Sequence, residues 1–273
     1  MYFWESLETK TMSIKRIIAV LYQEYYITLR SMEIFLDIFF FPVMSIILFG
    51  FLSSYLSGTS GKHVGDSVLM GMLLWEIIFI TQYSVSVGSL WNIWSRNLSN
   101  MFITPLDVRE YITAHILSGV LKAILVFCLT SVVSIFVFKF NIFELGMINL
   151  TLLIVNLVIF AVAIGLAILG LIFAYGTKIQ AFAWGLLPVF QPLTAALYPV
   201  DVLPYPLKEI AYIFPPTYVF ESAREILMTG VTNWNLLTTA FLINIVYVIL
   251  GILFFRLMFR RSRESGQFAR NES

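Results

Sequence analysis

The sequence predicts an all-α integral membrane protein with six transmembrane helices, and three observations lead to that prediction. Hydrophobic residues make up 59% of the 273 residues, the mean hydropathy is +0.88 and only 12% of the residues are charged. A typical soluble domain has about a quarter of its residues charged, so this chain has too little polar surface to cover a soluble globule. The apolar residues also form runs of about 20, the length that crosses a hydrocarbon core.

An amphipathic pattern precedes the first apolar run. Apolar side chains recur at helical spacing between positions 14 and 29. The opposite side of the same helix carries Lys15, Arg16, Gln23 and Glu24. This pattern predicts an interfacial helix that lies along the inner leaflet in contact with membrane lipids. A soluble helix that packs on another part of the chain is the alternative.

Six spans are predicted at 34–56, 67–90, 111–138, 147–175, 180–199 and 236–258, and together they form a six-span transmembrane domain over 34–258. The fifth is short and interrupted by proline. Residues 1–33 form a cytoplasmic tail with the amphipathic helix, and residues 259–273 form a basic cytoplasmic tail. With both termini inside, 12 of the 17 Lys and Arg residues are cytoplasmic and four are external. The positive-inside rule therefore predicts a multi-pass protein of the cell (inner) membrane with this orientation.

A polar stretch at 92–110 separates the second span from the third on the cytoplasmic side. Helical spacing predicts a short amphipathic helix over 93–104 that stops before Pro105. Its apolar face carries Trp94, Leu98, Met101 and Phe102, and its polar positions carry Arg96, Asn97 and Asn100. A helix of about a dozen residues is marginal alone in water, so either the membrane interface or a docked protein must hold it.

Glu76 and Lys122 are ionisable residues that fall inside predicted spans. Counted at the rise of an α-helix, they lie at similar depth on consecutive antiparallel helices. Two alternatives follow. They form a buried ion pair that fixes the register of the two helices, or they line a conduit where one of them meets substrate.

The fourth span contains small residues at four-residue intervals, such as Ala161 with Gly165 and Gly170 with Ala174. Such faces let helix backbones approach closely, which predicts that this span lies in the middle of a tight bundle.

Seven of the nine prolines lie between positions 187 and 230, in a segment that is still rich in apolar residues. A straight span does not accommodate this spacing, and a solvated loop would be more polar. The segment therefore predicts an outer re-entrant helical hairpin over 200–230, with arms at 207–214 and 217–228. The second arm places Glu221, Arg224 and Glu225 on one side, as an outer gate or as a rigid lid.

These features together resemble the membrane subunit of type-2 ABC exporters, the ABC-2 type permease family, over nearly the whole chain. The strongest matches are TPL at 104–106, YPV-x-x-LP at 198–204 and PPTYVFE at 215–221. In that family the first inner loop is a coupling helix seated in a cleft of the ATPase. The resemblance therefore implies an ATPase-coupling role for Trp94, Arg96, Asn97, Leu98, Met101, Phe102 and Pro105. The commoner form of this loop has acidic residues followed by glycine, so Arg96, Asn97 and Asn100 imply a docking surface tuned to a particular ATPase.

The chain has no GxxxxGK[ST] phosphate loop, because the fragment SGKH at 60–63 lacks the first glycine. The resemblance thus implies a transport subunit and not an enzyme, with ATP and Mg held by two copies of a separate ABC-type ATPase subunit and no cofactor on this chain. It also implies a homo- or heterodimer with a second permease subunit. It leaves three substrate classes open: a lipid, a glycolipid or polysaccharide, and a hydrophobic small molecule.

Three other function classes fit the sequence less well: a nucleic-acid-binding protein, a secondary transporter and a membrane-embedded enzyme. A net charge of +1 argues against nucleic acid as a partner. An ion-gradient-driven secondary transporter, the main alternative, would show paired broken spans in two repeated halves. A membrane-embedded enzyme would need a cluster of catalytic groups at one depth, and the chain offers neither that nor the spacing of a metal site.

Overall fold

A computed structural model describes residues 11–264, apart from the side chains of Ser99 and Phe182. The outer parts of both predicted cytoplasmic tails lie outside this range. Within it the chain contains helices and no strand. The α-helices are α1 Ile14–Arg30, α2 Met32–Phe35, α3 Phe41–Ser60, α4 Lys62–Trp94, α5 Leu98–Ile103, α6 Val108–Phe138, α7 Met147–Tyr175, α8 Gln180–Leu193, α9 Leu207–Ala211, α10 Pro215–Thr229 and α11 Trp234–Glu264. A π-helical turn, Leu36–Phe40, joins α2 to α3, and 3-10 turns occupy Ile142–Leu145, Gly176–Ile179 and Val200–Val202.

Between residues 11 and 264, five helical segments are long and apolar enough to cross a membrane: Met32–Ser60, Lys62–Trp94, Val108–Phe138, Met147–Ile179 and Trp234–Glu264. They contain five of the six predicted spans. The predicted span at 180–199 forms α8, which has 14 residues, contains Pro188 and Pro192 and ends at Leu193. A helix of this length covers about 21 Å, less than the ~30 Å of a hydrocarbon core. The helical part of this segment is therefore shorter than predicted, and the sixth span stays a prediction.

Helix α4 is the centre of the bundle. It packs against α3, α6, α7, α8 and α10, and 83% of its apolar window is buried, against 22% for α11. Its window is also the least apolar of the five. A span that is surrounded by protein does not have to face lipid, so it tolerates the serines and threonine that α4 buries, namely Ser84, Ser86, Ser89 and Thr81.

Helix α7 packs between α4 and α11 through small residues, as its sequence predicted. A Cβ atom on Gly165 would lie 3.0 Å from Val85 of α4, and one on Gly251 of α11 would lie 2.7 Å from the carbonyl oxygen of Ala163. These distances leave no room for larger side chains, so the backbones of the three helices approach each other at these glycines.

Helix α1 lies alongside the first half of α6. Arg16 pairs with Glu110, and Glu24 pairs with Lys122. The two pairs are separated by 94 and 98 residues in sequence, and this nearly constant separation means that α1 and α6 run side by side in the same direction. The polar side of α1 packs on the protein, and the predicted apolar stripe is largely exposed at Ile14, Ile18, Tyr22, Tyr25 and Leu29. The placement of that stripe in the inner leaflet stays a prediction.

The proline-rich segment forms two helices where the hairpin arms were predicted. The first arm is the five-residue α9, and the second is α10, which starts with two prolines in its first turn. Proline suits this position because its missing N–H has no partner within the helix. The entry of this hairpin into the membrane stays a prediction.

Candidate functional site

Helix α5 lies between two long helices, at the position of the predicted coupling helix, but it covers fewer residues than the predicted 93–104. The preceding helix α4 continues through Trp94, and the chain then reverses at Arg96, whose φ of 54° is in the left-handed region. The N–H of Asn97 donates to the carbonyl of Asn92 at 2.9 Å and closes this turn. Trp94 therefore belongs to α4, where its ring stacks on Trp184 of α8 at 5.8 Å.

The apolar face of α5 points into the protein. Leu98, Met101 and Phe102 are 0%, 9% and 6% exposed, and the ring of Phe102 packs on Tyr111 at 5.5 Å. The sequence prediction gave these three residues a role in ATPase coupling. The structure packs them against their own chain, and their role in coupling stays a prediction. The exposed side of this loop carries Ile103, which is 73% exposed, together with Arg96, Asn100 and Pro105.

A hydrogen-bonded chain behind α5 joins three helices. Gln23 of α1 donates to the Asn92 side chain at 2.8 Å. Asn92 of α4 donates to the hydroxyl of Tyr111 at 3.0 Å, and this hydroxyl donates to Ser89 at 2.9 Å. Helix α5 contacts this chain where the ring of Phe102 packs on Tyr111.

The carboxylate of Glu110 attaches α1 to the segment that follows α5. It accepts from Arg16 Nε and Nη2, each at 2.7 Å, from the N–H of Ser13 at 2.6 Å and from the N–H of Asp107 at 3.0 Å. Asp107 in turn caps α6 by accepting from the N–H of Arg109 at 2.9 Å. The N-terminal ends of α1 and α6 are thus held together by a capping box that carries an additional arginine.

Glu24 is the centre of a buried charged cluster between α1 and α6. Its carboxylate accepts from Lys122 Nζ at 3.1 Å and lies 3.8 Å from His115 Nδ1. Burial raises the pKa of Glu24, but His115 and Lys122 together lower it below its ordinary value. A narrow cavity beside the cluster is lined by residues that include Tyr83 and Trp91.

The predicted pairing of Glu76 with Lys122 is wrong, because the ammonium of Lys122 is taken by Glu24. Equal depth on neighbouring helices did not fix the direction in which each side chain points. Glu76 is 4% exposed, and among residues 11–264 neither the hydrogen bonds nor the ion pairs include its carboxylate. The alternative that Glu76 lines a conduit stays a prediction. The sequence did place Glu24 on the polar side of α1, but nothing in the pattern showed that α1 turns this side toward α6.

The three residues of the predicted outer gate separate into two contacts. Arg224 is 2% exposed, donates to Glu221 at 2.7 Å and to the carbonyl of Ala196 at 3.1 Å, and also bonds the carbonyl of Ala195. Glu221 also accepts from the N–H of Val200 at 2.8 Å. These bonds tie the turn after α8 to α10.

Glu225 does not take part in this tie. Its carboxylate accepts from the Asn233 side chain at 2.8 Å, at the approach to α11. Burial lowers the pKa of Arg224, although Glu221 opposes that effect. Whether either contact opens and closes as a gate stays a prediction.

Comparisons with known proteins point to one family. Residues 15–228 match the family model described as ABC-2 type transporter. This match takes in α1, the α5 loop, the central helix α4 and nearly all of α10. A comparison with curated proteins gives no match.

Proposed function

Because this chain belongs to the ABC-2 type transporter family, we propose that it is the membrane-spanning subunit of an ATP-driven exporter. By family and by its five long apolar helices it is a multi-pass membrane permease. It forms the translocation pathway together with a second permease subunit, and two copies of a separate ABC-type ATPase hold ATP and Mg. Its substrate is a lipid, a glycolipid or polysaccharide, or a hydrophobic small molecule.

The observation that supports ATPase coupling most directly is the combination of a buried root and an exposed tip at α5. The root is the buried side formed by Leu98, Met101 and Phe102, and the tip is Arg96, Asn100 and Ile103. A partner that pushes on the tip moves a helix that is packed into the core. Because a short turn joins α5 to the central helix α4, that movement reaches the middle of the bundle.

The backbone at Arg96 supports a contact role for its side chain. A residue other than glycine pays about 1 kcal/mol or more in the left-handed region, and glycine avoids most of that cost. The chain nevertheless carries an exposed arginine at the tip. Replacement by glycine therefore keeps the turn and removes only the side chain.

Co-purification from detergent tests the ATPase contact. We expect the wild-type chain to bring down an ATPase with a phosphate loop, and we expect Arg96→Gly and Ile103→Asp each to weaken this association by about tenfold, equivalent to ~1.4 kcal/mol. Tyr205→Asp is the matched control, since Tyr205 is 86% exposed in the proline-rich segment that we place on the other side of the membrane. Unchanged association in both α5 variants would contradict the proposal.

Cysteine labelling tests the proposed orientation, with both termini in the cytoplasm. Cys128 is the only cysteine, so a Cys128→Ser background allows single cysteines to be placed at Asn100 and Thr59. Both positions are exposed, near opposite ends of α4. A membrane-impermeant maleimide should label Thr59→Cys in intact cells and Asn100→Cys only after permeabilisation. The reverse pattern would place α5 outside and exclude ATPase docking there.

A further inference from the structure

We infer that the carboxylate of Glu76 binds the cationic group of an apolar ligand at a seam between α3, α4 and α8. The inference rests on the proposed function, because it assigns Glu76 to the pathway of the exporter and narrows the substrate to a cationic amphiphile.

Glu76 differs from the other buried charged side chains of the described region because it has neither an ion pair nor a hydrogen bond there, whereas Asp107, which also lacks an ion pair, accepts a hydrogen bond from the N–H of Arg109. Glu24 is paired with Lys122, Glu110 with Arg16, and Arg224 with Glu221. Glu76 is equally buried on the central helix, and within residues 11–264 it has no such partner. An unpaired charge at this depth costs several kcal/mol, so the ionised form of Glu76 is favoured only when a cation from outside the chain lies beside it.

The helical period gives the direction in which Glu76 points. At about 100° per residue, Gly65 and Tyr83 both project within about 20° of Glu76 on α4. A Cβ on Gly65 would meet Ser53 of α3, and Tyr83 donates to Asp37, just before α3, at 2.7 Å. Glu76 therefore faces the helix that contains α3.

Helix α8 borders the same face of α4. Met72 lies one turn from Glu76, and its sulfur accepts from the side chain of Gln191 in α8 at 3.6 Å. Phe79, three residues along α4 from Glu76, is only half-buried, so the outer edge of this face is accessible at an aromatic ring. A ligand that approaches Glu76 from this edge contacts that ring first.

The chemistry of the seam favours a cation. Asp37 supplies a second carboxylate farther along this face, because its partner Tyr83 lies two turns, about 10 Å, from Glu76 on α4. Within the described range Asp37 accepts a hydrogen bond from Tyr83 and forms no ion pair. The rings of Phe79 and Tyr83 lie 6.2 Å apart and offer π faces to a positive group. Two carboxylates in apolar surroundings attract a lipophilic cation and repel a phosphate or an acidic sugar.

Binding of rhodamine 6G to the permease in lipid nanodiscs, followed by fluorescence polarisation, tests the inference. We expect Glu76→Gln to weaken rhodamine 6G binding at least tenfold, and Glu76→Asp to retain most of it. Binding of the neutral probe N-phenyl-1-naphthylamine should not change. Glu264→Gln is the matched control, because that carboxylate is 64% exposed at the end of α11. Equal rhodamine 6G affinity for wild type and Glu76→Gln, or no preference of the wild type for the cation, would overturn the inference.

A second measurement on the wild-type chain does not depend on how the variants fold. Dicyclohexylcarbodiimide modifies carboxyl groups in apolar surroundings, and mass spectrometry locates the adduct. We expect rhodamine 6G to protect Glu76 from this modification, and modification at an undiminished rate would contradict binding there. Both results are independent of the ATPase: loss of the Glu76 site leaves co-purification at α5 intact, and failure of co-purification leaves rhodamine 6G binding intact.

Discussion

Replacing Lys122 by methionine removes the cation that lies 3.1 Å from Glu24 and leaves a carboxylate enclosed between α1 and α6. The side chains of Lys122 and Glu24 are 11% and 5% exposed, so solvent replaces little of the lost attraction. Breaking a buried pair by removing one partner costs about 3–5 kcal/mol. Because His115 still faces the other carboxylate oxygen at 3.8 Å, we expect about 3 kcal/mol for Lys122→Met.

The double variant separates this pair from simple loss of packing. Glu24→Gln together with Lys122→Met removes both charges, so we expect its cost to fall at least 2 kcal/mol below the sum of the single costs. Tryptophan fluorescence during unfolding by denaturing detergent measures each free energy, with exposed Lys62→Met as the control. Strictly additive costs would show that Glu24 and Lys122 do not interact and would refute the placement of α1 beside α6.

The same pair predicts a dependence on pH with a definite sign. The folded pKa of Glu24 lies below its ordinary value, so its contribution to stability is fully present above the unfolded pKa of ~4.3 and is lost as the pH falls through the folded pKa. We therefore expect the stability difference between wild type and Glu24→Gln to be largest near pH 7 and to shrink below about pH 4. A difference that does not change over this range would contradict an ionised Glu24.

Two further substitutions test the tie between the turn after α8 and the helices around it. Gly71→Ala places a Cβ 2.0 Å from the carbonyl oxygen of Ala196, a backbone atom that has little room to move. We therefore expect the free energy of unfolding to fall by about 2–3 kcal/mol. Gly58→Ala is the control, because its Cβ meets no atom within 4 Å and should have little effect in the same unfolding assay. Arg224→Leu removes the guanidinium that donates to Glu221 and to two carbonyls, although Glu221 still accepts from the N–H of Val200. Because Glu221 is one quarter exposed, we expect the free energy of unfolding to fall by about 2–4 kcal/mol, and we expect faster proteolysis within residues 194–206.

The long helices of this protein were largely predictable from hydropathy, because length and apolar composition alone identify the five candidate membrane spans within residues 11–264. The central position of α4 was also accessible in principle, because the least apolar span is the one that does not have to face lipid. The short α8 was harder to interpret. Pro188 and Pro192 are visible in the sequence, but both lie inside α8, and the helix ends only at Leu193. The turn that follows is bonded to Arg224 through the carbonyl of Ala196, and this distant contact could not be predicted from the prolines.

The contacts of single side chains were less predictable than the helices. Periodicity showed that α5 has an apolar face, but it does not say whether that face meets the same chain or a partner, and Leu98 proved to be buried in the same chain. Helical rise gave the depth of Glu76 and Lys122, but it does not give the side to which each one points. Glu24 became the partner of Lys122 because α1 turns its polar side toward α6, and only tertiary contacts determine that rotation.

The most direct test of the account is photo-crosslinking from the tip of α5 in living cells. A photoreactive amino acid at Ile103, which is 73% exposed, should attach to an ATPase that carries a phosphate loop. The same group at Tyr205, which is 86% exposed, should not. Attachment from Tyr205, or no ATPase adduct from Ile103 in a strain that expresses the whole exporter, would contradict the proposal that a separate ATPase drives this chain through α5.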